Sequence, residues 1–228
     1  MTDRIFVAFI PARGGSKSIP RKNMSILNGR PLIDFTISAA KSAGVFQEII
    51  VSTDDNEIAE YALSAGCQIH QRPSHLATDS SRVVDSIVHA ATTMSIDLNA
   101  VIVVLQPTSP LRAAESIKAA VQLHRENEGA SVVGVVECEH HPYKTVHLEN
   151  GRIHAGSHRV YLEAARQDLP QVFRINGAIY LSLLLTILHE QTLIPMDSLA
   201  LLMSRVESID VDNSLDLILS EVIEKHSN

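Results

Sequence analysis

Ile5-Phe6-Val7-Ala8-Phe9-Ile10-Pro11-Ala12-Arg13-Gly14-Gly15-Ser16-Lys17-Ser18-Ile19-Pro20-Arg21-Lys22-Asn23 decides how the rest of the chain is read. Six apolar residues in a row, with no polar alternation, fit a strand covered on both faces, as in a parallel sheet. The window Arg13–Lys22 then holds four cations and no acid, in a chain whose formal net charge is −7. Gly14 and Gly15 let the backbone turn and bring N–H groups close to an anion. Arg13, Gly14, Gly15, Ser16, Lys17 and Lys22 therefore read as a polyphosphate cradle. It is not a P-loop, because Ser16 and not Gly precedes Lys17, and no G-x-G-x-x-G is present. The plainer alternative is a strand-to-helix loop that happens to be basic.

Working outward, apolar runs recur at Glu48–Thr53, Ala100–Leu105 and Ser131–Val136. Between them, apolar residues return at helical spacing over Pro31–Ala43, Asn56–Ala65, Arg82–Met94 and Ala113–Glu126. Asn28-Gly29 turns the chain before Pro31 at a first helical position, and Gly44 and Gly66 stand where C-terminal caps belong. Strand and helix in alternation predict βαβ crossovers and an open, mainly parallel α/β sheet. Glu137–Arg174 breaks the pattern with polar, turn-rich stretches and reads as a hairpin plus loop that leaves the sheet. Apolar structure returns at Gly177–Leu181, and Val206–Asp212 leads into a helix over Ser214–Lys225 capped by Asn213. The division is thus 1–136 with 175–228, and 137–174 as an insertion.

Composition narrows the function classes. An acidic chain with 4% aromatic residues lacks the basic stripe of a nucleic-acid surface. No apolar run approaches the ~20 residues that span a bilayer. Asp3 and Arg4, ahead of a short apolar stretch without a small-residue cleavage site, read as the approach to a strand and not as a signal peptide. Two cysteines, Cys67 and Cys138, give neither a disulfide framework nor metal-ligand spacing, so a reducing cytoplasm is expected. Among eleven histidines, His140-His141 has no ligand partner at metal spacing, and His75, His124 and His189 read as surface residues.

Ligands of open α/β sheets gather at the carboxyl ends of strands, where Arg13–Lys22, Ser52-Thr53-Asp54, Gln106-Pro107-Thr108 and Asp210-Val211-Asp212 all fall. In an extended segment, Asp210 and Asp212 project on one face about 7 Å apart. They can hold Mg²⁺, which takes a few carboxylates plus phosphate oxygens; the alternative is a strand-end pair that caps the next helix. Gln106–Arg112 is stiffened by two prolines, and Gln106, Thr108 and Ser109 suit sugar hydroxyls. Otherwise its Thr and Ser cap the following helix and Arg112 is solvated. Arg166 and Arg174 offer planar forks for a carboxylate, implying an anionic second substrate, unless they are merely hydrated.

Ile10–Asn23, Ser52–Asp54, Arg72-Pro73, Leu105–Arg112, His140–Thr145 and Arg174–Tyr180, with Asp210 and Asp212, together resemble the acylneuraminate cytidylyltransferases, or CMP-sialic acid synthetases, over nearly the whole chain. The resemblance implies a Rossmann-like sheet of the nucleotide-diphospho-sugar transferase type. It also implies a reaction of CTP with a nine-carbon keto acid sugar that yields the CMP-sugar and pyrophosphate with Mg²⁺. On these positions Arg13, Lys17 and Lys22 would hold the triphosphate, with Lys22 near the leaving pyrophosphate. Asn23, Arg72 and Ser81 would surround the cytidine, and Asp210 and Asp212 would bind the metal. Gln106, Asn176 and Tyr180 would face the sugar, with Lys144, Arg166 and Arg174 near its carboxylate. The insertion would complete the site of a second copy, making a homodimer. Asp210, or a hydroxide on its metal, would take the sugar proton.

The chain departs from the family at Arg82-Val83, where relatives commonly continue with small hydroxyl residues after Ser80-Ser81, and at Leu193-Ile194, where paired phenylalanines can stand. The cytosine contact and the pocket for the sugar's acyl group are the features these changes touch, so legionaminic acid is a candidate alongside N-acetylneuraminate. Two other readings compete: a cytidylyltransferase for the eight-carbon acid Kdo, and a catalytically silent nucleotide-binding module on the same fold.

Overall fold

A computed structural model describes residues 4–226; Asp3, part of the reading of the amino-terminal segment, lies outside them. In chain order the elements are β1 (Phe6–Pro11), β2 (Ile26–Leu27), β3 (Arg30–Pro31), α1 (Leu32–Ala43), β4 (Glu48–Thr53), α2 (Asn56–Ser64), β5 (Gln68–Gln71), α3 (Val83–Thr93), β6 (Val101–Val104) and α4 (Ala114–Glu126). There follow β7 (Val132–Glu137), β8 (His147–Glu149), β9 (Arg152–His154), β10 (Phe173–Leu183), α5 (Leu184–Glu190), β11 (Leu199–Leu202) and α6 (Ser214–His226). Seven strands form one sheet in the order β11-β7-β10-β6-β1-β4-β5. Only β10 runs antiparallel to its neighbours, so the expected mainly parallel sheet is what the chain forms.

The unbroken apolar strands have the cause inferred from the sequence. Phe6, Ala8 and Ile10 point into one core with Ile33, Ile37, Ile58 and Ile117, while Val7 and Phe9 point into a second core with Ile87, Ala90 and Leu184. Alternate residues of β1 thus meet helices on opposite faces, and polar side chains on either face would be stranded. Phe9 is fully buried, and removing its ring would cost about 3–5 kcal/mol by the usual cost of such cavities.

Several boundaries differ from the sequence reading for local reasons. Asn28 and Gly29, both at positive φ, close a two-residue hairpin between β2 and β3, and Pro31 precedes the helix as its cap residue. Asn213 caps α6 as expected, its Oδ1 accepting from the amides of Leu215 and Asp216 at 2.9 and 3.2 Å. Phe173 and Arg174 pair with Glu137 and Val136 inside the sheet, so the excursion proper is 138–172, with the β8–β9 hairpin turning at Asn150-Gly151. β5 and β11 are edge strands that the apolar pattern did not reveal.

Arg112, His124 and the strand placement of Asp210 and Asp212 depart from readings offered by the sequence. Arg112 is 3% exposed and donates to the carbonyls of Gln106 and Ala178 and to Thr36 Oγ1 at 3.1, 2.9 and 2.8 Å. It clamps the Gln106–Arg112 loop from behind, while α4 receives its cap from Glu207 Oε1. His124 is 1% exposed, set edge-on to Phe6, with Nδ1 2.8 Å from the Ala130 carbonyl. Asp210 and Asp212 lie beyond a turn over 205–208, outside any strand; Asp210 is half-buried and Asp212 exposed, and they are close enough for the Asp212 charge to act on the Asp210 carboxyl.

Candidate active site

β1 lies between β4 and β6, so the chain crosses to both of its sides and the loops after β1, β4, β5 and β6 meet at one edge. A cleft of about 230 Å³ opens there, lined by Arg13, Gly15, Ser16, Lys22, Asn23, Arg72, Ser81, Gln106 and Thr108 among others. The cationic loop and the loop after β6, more than eighty residues apart in the chain, therefore share one wall.

The loop after β1 is shaped by its neighbours. The Gly14 amide donates to Asp54 Oδ1 at 2.9 Å, and a Cβ on Gly14 would come within 2.8 Å of Asp55. That close approach requires glycine. Asn23 is buried and donates to the Arg13 carbonyl at 2.9 Å, drawing the two ends of the loop together. Arg21 takes a left-handed backbone at φ 53, uncommon for a side chain of its size, and its guanidinium is tied to Asp55 and Glu57.

Sequence inspection found no acid inside the cationic window, but the fold brings acids in from elsewhere. Asp79 accepts from Arg13 Nη2 and Lys17 Nζ, each at 2.7 Å, and these two cations hold its carboxyl below the ordinary carboxylate range. An anion thus already stands between Arg13 and Lys17, and it is the chain's own. Lys22 Nζ donates to the Val211 carbonyl at 2.8 Å and lies 3.3 Å from Asp212 Oδ1. This contact joins the basic loop to the acidic pair, reinforced by the Val211 amide donating to the Thr108 carbonyl at 2.7 Å.

The acidic pair suits a hard cation. Asp210 Oδ1 is buried without a hydrogen-bond partner among the described residues, and burial pushes its carboxyl above the ordinary value, with the Asp212 charge adding to the effect. A buried, unpaired carboxylate oxygen is costly unless something positive meets it. Asp212 is exposed beside it. Two carboxylates are too few for a cage built from protein alone, and among the described residues no cluster of three or more metal-ligating acids, histidines or cysteines occurs. They fit Mg²⁺, which commonly keeps water and takes its remaining ligands from a phosphate chain.

Among the residues expected around the cytidine, Arg72 is buried, with Nε and Nη2 donating to Ser52 Oγ and the Ser52 carbonyl at 3.0 and 2.8 Å. Ser81 lines the cleft, and its hydroxyl closes the 78–81 turn by accepting from the Thr78 amide at 3.1 Å. Of the residues expected to face the sugar, Gln106 lines the cleft and Tyr180 sits close enough to Asp210 for that charge, after burial, to push its phenol up. Asn176 does not face the cleft: it is 2% exposed, donates to Ser208 Oγ at 2.9 Å and accepts from the Ala178 amide at 3.0 Å. It braces the β10 bulge around Gly177, and Gly134 makes the room, since a Cβ there would meet Asn176 Oδ1 at 2.7 Å. Arg174 reaches the Ser208 carbonyl at 3.4 Å, at the same end of the sheet.

Lys144 and Arg166 are not brought to the cleft within one chain. Lys144 donates to the Ala164 carbonyl at 2.6 Å, and Arg166 lines a separate hollow of about 400 Å³ formed with Glu137, Cys138 and His141. This hollow is larger than the cleft but holds none of the triphosphate-binding candidates.

The chain is similar to known proteins. A family model described as cytidylyltransferase matches residues 7–179, which spans the cleft loops and most of β10. The CMP-N,N'-diacetyllegionaminic acid synthase of Legionella pneumophila is 34% identical over 221 residues, covering 94% of each chain. The N-acylneuraminate cytidylyltransferase of Streptococcus agalactiae serotype V is 36% identical over 217 residues, 93% of this chain and 51% of that one, so the present chain spans about half of it. The solved structure of CMP:2-keto-3-deoxy-manno-octonic acid synthetase complexed with CTP superimposes with a TM-score of 0.72 over 98% of this chain and 100% of the other, at 16% identity. That likeness speaks for the fold alone, whereas the family match and the 34–36% relatives carry the cleft loops with them. By that sequence similarity, and with the fold it requires in place, the chain belongs to the cytidylyltransferase family.

Proposed function

We propose that the protein joins CTP to the anomeric hydroxyl of a nine-carbon keto acid sugar, releasing pyrophosphate and the CMP-sugar. The single observation that carries this reading is the Lys22–Asp212 contact, which brings the cationic turn that lines the cleft next to the acidic pair. In the reaction the sugar oxygen forms a bond to the α-phosphorus as the bond from that phosphorus to the β-phosphate oxygen breaks, and the hydroxyl proton must be accepted. Little of this is covalent work for the protein, which positions two anions and neutralises the leaving group. Arg13 and Lys17 would exchange Asp79 for phosphate oxygens, and Lys22 would neutralise the departing pyrophosphate. Gly14, Gly15 and Ser16 would present backbone amides to the same chain of phosphates, while Asn23, Arg72 and Ser81 would bound the nucleoside.

Asp210 and Asp212 would hold Mg²⁺, which when bound supplies charge neutralisation at the phosphates. Asp210, or a hydroxide on its metal, would take the sugar proton. Gln106 and Tyr180 would meet sugar hydroxyls, with Arg174 near the carboxylate. Lys144 and Arg166 would reach that carboxylate from a second copy. Leu148, Ile153 and Val160 of the excursion face solvent at 75%, 67% and 78% exposure, as expected of a surface that a second subunit covers. The two cysteines are free, and no described helix is long and apolar enough to cross a membrane, which fits the cytoplasmic location we assign.

The test is pyrophosphate release with CTP and each of several acids: N-acetylneuraminate, diacetyllegionaminate and Kdo. Turnover with a nine-carbon acid supports the proposal; turnover with Kdo alone, or CTP binding without pyrophosphate, overturns it. An Asp210→Asn variant that kept full turnover at saturating Mg²⁺ would remove Asp210 as proton acceptor.

A further inference from the structure

Behind Arg72 lies a line of buried polar groups that the reaction does not use directly. Ser52 Oγ, which accepts from Arg72 Nε, is 2.8 Å from His70 Nδ1, and His70 Nε2 is 2.8 Å from His89 Nδ1. Ser52 and His70 are shut off from solvent, while His89, on α3, is half-buried. The line therefore runs from the cleft through the carboxyl ends of β4 and β5 to a helix on the second face of the sheet.

One direction of hydrogen bonding satisfies every group along it. A guanidinium Nε–H is always a donor, so Ser52 Oγ accepts there, and of that hydroxyl's partners among the described residues only His70 Nδ1 can accept its proton, which would otherwise be buried unpaired. An imidazole that accepts at Nδ1 carries its proton on Nε2, and that proton meets His89 Nδ1. A proton on His70 Nδ1 would be taken by the second lone pair of Ser52 Oγ and would leave the buried hydroxyl proton without an acceptor. Burial, with help from the His89 and Arg72 charges, holds His70 down at about 4, so the ring is neutral at physiological pH. The same burial lowers Arg72 to about 10, which leaves it charged.

We propose that Ser52, His70 and His89 are positioning residues: a one-way relay that fixes the plane of the Arg72 guanidinium and so aims its free Nη1 end at the nucleotide in the cleft. This rests on the reading of the cleft as the CTP site. An arginine held by a serine hydroxyl alone could rotate that hydroxyl toward another acceptor; with His70 behind it the hydroxyl has one orientation, and the guanidinium fork is held at both Nε and Nη2. The expected consequence is tighter CTP binding with no direct effect on the chemical step.

Two arms test it. In ligand-free protein labelled with ¹⁵N-histidine, long-range proton–nitrogen correlation at pH 7 should show His70 as the Nε2–H tautomer; an Nδ1–H or doubly protonated ring overturns the relay. In steady-state kinetics His70→Leu should raise KM for CTP about tenfold with kcat within about twofold, the pattern of lost ground-state binding. His70→Asn keeps an acceptor near the Nδ1 position and should bring KM back to within about threefold of wild type. Ser52→Ala, the smaller change, should raise KM as His70→Leu does should the latter fail to fold. Equal KM values in the leucine and asparagine variants, or a fall in kcat at constant KM, overturn the proposal. A wild-type protein that released no pyrophosphate from CTP would defeat the assigned reaction, while the tautomer arm would still decide the relay.

Discussion

The loop 12–23 and the excursion 138–172 both offer cations to anionic substrates, but they hold them in opposite ways. In the loop, Arg13 and Lys17 share Asp79, Arg21 is bound by Asp55 and Glu57, and Lys22 meets Asp212. In the excursion, Lys144 has a backbone carbonyl and Arg166 only a carboxylate 3.9 Å away, while Leu148, Ile153 and Val160 face solvent. The first region is finished by its own chain, with geometry set before any ligand arrives. The second is the surface for which we proposed a second copy, since exposed apolar side chains have no stabilising role in an isolated subunit.

The sharpest way to break this contrast is at Lys22. Lys22→Met should lower kcat by roughly 10²-fold or more, since charge stabilisation in a dry cleft is worth several kcal/mol, as pyrophosphate release will show. A variant within threefold of wild type would mean that the loop is not where the leaving group is neutralised. A second experiment joins the two regions. Lys22→Met and Arg166→Ala chains, each impaired alone, should on unfolding and refolding together recover about a quarter of wild-type activity, because half of the dimers are mixed and each has one intact shared site. No recovery would mean that each site is built within one chain.

The smallest effect sharpens the same comparison by asking how rigid the finished region is. The folded state holds His70 at about 4, below its ordinary 6.5, so between those values the unfolded chain binds more protons. The contribution of neutral His70 to stability is therefore complete above about pH 6.5 and is lost as pH falls toward 4. Melting curves of wild type and His70→Asn should converge by a few degrees as pH is lowered from 7 to 4.5. A constant difference in melting temperature across that range would show that the ring does not titrate as its burial implies.

Much of the first region could be read from residue order. β1, β4, β6 and β7 announce themselves through continuous Val, Ile and Phe because both faces of the sheet are covered, and a basic glycine loop after the first of them marks the cleft. β5 and β11 escaped because an edge strand needs less apolar side chain: Gln68 and Gln71 are exposed, and alternate residues of β11 reach solvent. Arg112 looked solvated because nothing local shows that Thr36 and the Ala178 carbonyl will enclose it. The contact of Asp79 with Arg13 and Lys17 was missed in the same way, since counting charge within a window cannot see acids delivered by other loops. The excursion was legible only as a change of pattern, since short polar stretches leave no period to follow.

The most direct measurement of the central claim is calorimetric titration of CTP with and without Mg²⁺, comparing wild type with the Asp210→Asn, Asp212→Asn double variant. If the cationic turn and the acidic pair together grip one metal-bound triphosphate, Mg²⁺ will tighten CTP binding to wild type by roughly tenfold or more and leave the double variant, which still binds CTP through Arg13, Lys17 and Lys22, unaffected. Equal tightening in both proteins would contradict the account.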